Sequence, residues 1–275
     1  MTTLDKTLNI EVKASVKEKF DTLWKKHETS DFIKDDPVQF VHLFKNSRPE
    51  DIEIAGFISS LYAFGKREMF IKKLFELFNF MQMRPYEFII NFDKKAYNED
   101  FNYRFIKPSD LIVFFDVLNK LYAKDKMTLE ELFARSGKAM QTVGNKGQNK
   151  VFNLLQNVCN YFYDNAENIG DGYKFMLSNP ENKGAMKRMN MFLRWMIRKN
   201  SPVDIGIWSF LEPSELLIPL DVHVGNISRS EGLLIRKQND FKSVVELTNV
   251  LKEFDPADPV KYDFAMFGYG VNKAE

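Results

Sequence analysis

The stretch KGAMKRMNMFLRWMIRKN, residues 183–200, decides the fold. Ala185, Met189, Phe192, Leu193, Met196 and Ile197 recur at spacings of three and four, which gathers them on one face of a helix. Lys183, Lys187, Asn190, Arg194 and Arg198 fall on the opposite face as a basic stripe, with Trp195 beside it. The same period runs through almost every segment on either side, and β-branched runs that alternate cleanly are scarce. The pattern predicts an all-α protein with helices near 9–27, 37–46, 49–64, 67–82, 85–91, 108–123, 128–135, 148–165, 183–199, 222–231, 240–254 and 258–267. Pro49 followed by Asp51 and Glu53, and Pro108 followed by Ser109 and Asp110, are helix-opening signals that favour many short helices over one long coiled coil.

The 275 residues, 44% hydrophobic and including 26 Phe, are enough for one large helical domain of two packed lobes. SGKAMQTVGNKGQNK (136–150) reads as a connector; it has neither the Gly-Lys-Ser/Thr ending nor the preceding strand of a phosphate-binding loop. NIGDGYKFMLSNPENKG (168–184), with three glycines and a proline, reads as turns. Thirty-nine Lys and Arg against 38 Asp and Glu leave a net charge of +1, so any nucleic-acid contact must come from a local basic face. A lone Cys159 rules out an internal disulfide and a cysteine zinc cluster, and its apolar setting VFNLLQNVCNYFY marks it for packing. His27, His42 and His223 form no ligand pair on one helical turn, so neither a catalytic metal nor a cofactor is expected. The start MTTLDKTLNIEVKASV lacks the basic and apolar regions of a signal peptide, and no run approaches the roughly 18 apolar residues of a membrane span. A cytoplasmic protein without a membrane partner is expected.

Downstream of the basic stripe lies IPLDVHVGNISRSEGLLIRK, residues 218–237. Pro219 keeps Ile218 out of helical dihedrals, so the chain enters Asp221 extended, at the head of a helix with apolar Val222, Val224, Ile227, Leu233 and Leu234. Asp is a favoured N-cap, and helix N–H groups favour its charged form. The local sequence therefore reads Asp221 as a cap, and a catalytic role needs support from elsewhere. In FDPADPVKYDFAMFGYG (254–270), Asp255 and Asp258 carry the Asp-Pro signature of structural caps.

That support comes from a resemblance. KRMNMFLRWMIR, DIGIWSFLEPSELLIPLDVHVGNISRSEGLL, FDPADPVKYDFAMFGYGV and EIAGFISSLYAFGKRE (53–68) resemble a bacterial family of unassigned function over nearly the whole chain. That family in turn looks like a divergent branch of the helix-hairpin-helix DNA glycosylases, relatives of endonuclease III and 8-oxoguanine glycosylase. The resemblance implies two helical lobes with a cleft between them, double-stranded DNA as partner, and Asp221 of PLDVHVGNISR as the catalytic acid. It also implies Lys187, with Lys183 as the other choice, as the amine of the bifunctional members. No Leu-Pro-Gly-Val-Gly hairpin precedes Lys187, and the 34 positions from Lys187 to Asp221 are closer to the archaeal 8-oxoguanine branch.

Such an enzyme must draw the base from the stack into a pocket. Breaking the glycosidic bond builds positive charge on the sugar, which an ionised carboxylate stabilises. A lysine nucleophile must be neutral, whereas at an ordinary pKa of about 10.4 only about one in 2,500 is neutral at pH 7. The expected function is base-excision N-glycosylase with or without lyase activity, acting on a damaged base such as an oxidised purine, with Asp221 and Lys187 catalytic and Lys183, Arg194 and Arg198 contacting DNA. Two other readings remain open: a non-catalytic nucleic-acid-binding module and a helical scaffold without nucleic-acid affinity.

Overall fold

The computed structural model describes residues 10–97, 100–138, 149–179 and 184–272, and among these every extended element is a helix. The all-α expectation holds. Two isolated β-bridges, Tyr103 with Ile106 and Gly184 with Asp240, accompany the helices. The chain divides into two compact units, one formed by Met1–Lys34 with Lys183–Glu275 and the other by Asp35–Asn182. The second unit is thus an insertion in the sequence of the first. The expected connector at 136–150 lies inside it, and residues 139–148 fall outside the described residues.

The first unit contains α1 (Ile10–His27), α2 (Ser30–Ile33), α11 (Lys187–Ile197), α12 (Val222–Ser230), α13 (Phe241–Phe254) and α14 (Tyr262–Asn272). Helices α1 and α14 lie against each other, with Phe20 on Tyr262 and Phe32 on Phe264 and Phe267. A Cβ at Gly268 would stand 2.0 Å from the His27 ring, so only glycine allows this approach. Between α11 and α12 the chain runs largely extended. The Ile205 and Gly206 N–H groups donate to Trp195 O, Trp208 N–H to Met196 O, and Ile218 N–H to Thr248 Oγ1 on α13. The bonds to Trp195 O and Met196 O satisfy carbonyls left open at the end of α11, and the bond to Thr248 ties the chain to α13 three residues before Asp221.

The second unit contains α3 (Gln39–Leu43), α4 (Pro49–Tyr62), α5 (Arg67–Phe80), α6 (Pro85–Ile90), α7 (Pro108–Asn119), α8 (Leu129–Lys138), α9 (Lys150–Asp164) and α10 (Asp171–Met176), and α7 continues into a π turn at Lys120–Lys124. Helix α4 is buried from Ile52 to Tyr62 and forms the centre, with Phe57 packed on Phe114, Phe133 and Phe162. Its one buried acid, Glu53, accepts hydrogen bonds from Tyr122 Oη (2.5 Å) and from the Leu129 and Glu130 N–H groups (3.0 Å each), capping α8 from another helix.

Two helices were not expected, α2 and α10. The glycines that read as turns before α10 serve a tertiary approach instead. Asp110 accepts from Lys107 N–H at the start of α7 and from Tyr173 N–H in α10, and a Cβ at Gly170 or Gly172 would meet its carboxylate at 2.3 or 2.2 Å. Cys159 is buried in α9, where burial pushes its thiol up to about 12, and it acts as packing. Among the described residues, no helix is long and apolar enough to cross a membrane.

Candidate functional site

Helix α11 begins at Lys187, later than the periodicity suggested. Gly184 is held in the bridge to Asp240, and Met186 takes a left-handed conformation (φ 52°), so the helix cannot extend back through them. Lys187 is therefore the first helical residue, where the dipole disfavours a cation. Asp221 is the N-cap of α12, and its Oδ1 accepts the Val224 N–H at 2.9 Å. The other oxygen, Oδ2, lies 3.0 Å from Lys187 Nζ, with the two side chains 30% and 36% exposed. Burial pushes the Asp221 carboxyl up, but Lys187, the Val224 N–H and nearby His223 outweigh it and hold the pKa below the ordinary carboxylate value. The result is an ionised carboxylate and an amine in contact, partly open to water. Beside the acid, Val222 and His223 are exposed on the first turn of α12.

Sequence reasoning missed the residues that brace this pair. Asn239 Nδ2 donates to the backbone oxygen of Asp221 (3.3 Å), Arg229 Nη2 donates to Asn239 Oδ1 (2.6 Å), and Arg229 Nε donates to Arg236 O (2.9 Å). Gly225 makes room for them, since a Cβ there would lie 2.5 Å from Asn239 Oδ1. The segment 236–240 thus touches both Asp221, through Asn239, and the entry to α11, through the bridge from Asp240 to Gly184. The only signal in the sequence was a glycine one turn after Asp221.

The expected DNA-binding stripe requires correction. Arg194 and Arg198 are 2% and 3% exposed and face carboxylates, not solvent. Arg194 Nε donates to Asp204 Oδ1 (3.2 Å), its Nη1 donates to Asp263, and its guanidinium lies 4.4 Å from the centre of the Phe264 ring. Arg198 donates to Asp204 (2.9 Å), Asp258 (2.7 Å) and Glu28, which also accepts from Ser201 Oγ (2.6 Å). A polar stripe on an amphipathic helix faces water only when nothing matches it, and here Asp204, just beyond the helix, and Glu28, Asp258 and Asp263 from distant segments do. Neither arginine is placed to meet a phosphate. Asp258, expected to be a cap, is a partner of Arg198 and makes no side-chain cap bond, whereas Asp255 accepts from the Ala257 and Asp258 N–H groups as expected. Lys183 lies outside the described residues. Among the described residues, no group of three or more His, Cys, Asp or Glu could hold a metal ion.

Comparison with known proteins gives a family without an activity. The model described as "Protein of unknown function (DUF2400)" matches residues 36–272. No curated protein and no solved structure matches the chain.

Proposed function

The chain belongs to this family of unknown function, DUF2400, and from the chemistry at the head of α12 we propose that it is a DNA base-excision N-glycosylase. The observation that carries this reading is the 3.0 Å contact between Lys187 Nζ and Asp221 Oδ2, with the carboxylate also held by the Val224 N–H. A carboxylate kept charged in this way stabilises the positive charge that develops on a sugar as its base departs. It also lies within reach of a proton on the Lys187 amine. In the excision step of a bifunctional enzyme the neutral amine attacks C1′ while the bond from C1′ to the base nitrogen breaks; the base leaves with the bonding pair, the amine proton passes to Asp221 or water, and the covalent adduct on C1′ is the species that borohydride traps. If Lys187 does not attack, the same carboxylate directs a water and the product is an abasic site without an adduct. The burial of Arg194 and Arg198 removes both from the DNA contacts of this enzyme and of a non-catalytic nucleic-acid module alike.

The test is incubation with duplexes carrying 8-oxoguanine, uracil or an abasic site, followed by borohydride trapping. Asp221→Asn is expected to lower excision by about 10²–10³-fold with little loss of stability, because Asn caps a helix as well as Asp does. Lys187→Ala is expected to abolish the trapped adduct. No excision of any lesion together with no adduct would refute the proposal.

A further inference from the structure

The second unit carries an aromatic and cationic surface. Tyr103 and Ile106 close a tight turn through reciprocal backbone hydrogen bonds of 3.0 and 2.9 Å, leaving Arg104 and Phe105 at its tip. Arg104 adopts φ 55°, a left-handed conformation that a side-chain-bearing residue takes only when the surroundings impose it. Phe105 is 44% exposed. Its ring lies 4.3 Å from that of Phe175, edge to face, and 5.4 Å from that of Phe64, stacked, and Phe64 and Phe175 are 4.7 Å apart. Three separate segments therefore meet in one aromatic cluster from which the Phe105 ring reaches water.

The same segments are rich in exposed cations. Lys66, Arg104 and Lys107 each lie within two positions of one of these rings, and all three are exposed. The guanidinium of Arg104 rests over Gly65, where a Cβ would stand 2.5 Å from Nη1, so this charge sits beside the Phe64 segment as well. Of the acids on these segments, Glu68 and Asp171 are exposed, and Asp171 has Lys174 at 3.7 Å, against the three exposed cations. A ring open on one side with cations around it fits a polyanion that presents flat bases: successive bases stack on aromatics while phosphates meet the charges. A duplex keeps its base faces covered, and an apolar protein surface would not match the cations.

We propose that this surface binds single-stranded nucleic acid, with a base stacked on Phe105 and phosphates held by Lys66, Arg104 and Lys107. It does not depend on the Lys187–Asp221 reading, because its residues all belong to the second unit and its readout is binding alone.

The experiment uses the full chain, a fluorescein-labelled dT12 and a 2-aminopurine-substituted version of it, titrated over a series of salt concentrations. Wild-type protein is expected to bind dT12 more tightly as salt falls and to quench the 2-aminopurine. Phe105→Ala, at an exposed position, is expected to weaken binding at least about 5-fold and to abolish the quench, and Phe105→Tyr is expected to restore both. Arg104→Gly relieves the left-handed conformation, so the fold is retained, yet the slope of log K against log salt is expected to fall by about 0.7. The proposal is overturned by absence of dT12 binding at low salt, or by Phe105→Ala binding and quenching like wild type. Capture of anionic phospholipid vesicles through these residues, with dT12 unbound, overturns it too.

Discussion

Replacing Arg198 with Met separates the two roles that this residue could have, because Met retains much of the apolar stem and removes the guanidinium. In the wild type, Arg198 is the shared partner of Glu28, Asp204 and Asp258, and the Asp204 side chain has no exposure at all. Burial pushes the Asp258 carboxyl above its usual value even with Arg198 present, while Glu28, also pushed up by burial, is brought below it by Arg198, Ser201 and Trp24. Without the guanidinium Glu28 and Asp258 lose their arginine partner, while Asp204 keeps Arg194 at 3.2 Å. Removing one partner of a buried ion pair costs about 3–5 kcal/mol, a large share of the roughly 5–15 kcal/mol that holds a domain folded. A solvent-facing arginine would cost less than about 0.5 kcal/mol. All three tryptophans, Trp24, Trp195 and Trp208, belong to the first unit, so urea unfolding followed by tryptophan fluorescence reports on the unit that contains the substitution. With burial left unopposed by Arg198, Glu28 and Asp258 would have native pKa values above their unfolded ones, a state favoured below the unfolded value and penalised as pH rises through the native one. The deficit of Arg198→Met is therefore expected to be full at pH 7 and to narrow toward pH 5. A loss below about 1 kcal/mol at pH 7, or a deficit that widens on acidification, would refute the buried network.

Two further predictions concern single positions. Gly172 lies in α10, where Ala would ordinarily be about 0.5–1 kcal/mol better; here its Cβ would meet Asp110 Oδ2 at 2.2 Å and Ile106 Cα at 2.9 Å, so Gly172→Ala is expected to destabilise by about 1–3 kcal/mol. Far-UV circular dichroism during urea unfolding reads this change, and a stabilised variant would contradict the packing. Asp240 caps α13 through the Ser243 N–H (3.0 Å), and its pKa is held down to about 2, first by the hydrogen bond from Arg236. Since the native value lies below the unfolded one of about 3.9, the stabilisation is complete above that value and is lost as pH falls toward 2. Asp240→Asn keeps the cap and removes the charge, so its midpoint in urea is expected to approach that of wild type as pH falls from 5 to 3. A gap constant over that range would show that the charge contributes nothing.

Most helices were legible because a helix is a local structure: periodicity three and four residues apart, proline at the first turn and Asp at the cap are all contained within one segment. The cap of α12 by Asp221 belongs to that class, as does the start of α4 at Pro49. The short α10 was not legible, because its glycines answer to Asp110, more than 60 positions away. The stripe on α11 was legible as a pattern but not as an environment: Arg198 finds Glu28 at a separation of 170 and Asp258 at 60, and burial of a charge is decided by the partners it meets. The same limit applies to the site. Sequence alone determined that the protein is helical and that Asp221 heads a helix, since both follow from neighbours along the chain. That Lys187 touches Asp221, that Asn239 and Arg229 brace it, and that Arg194 and Arg198 turn inward were decided only by the tertiary structure, because each depends on side chains brought together from segments that no local period relates.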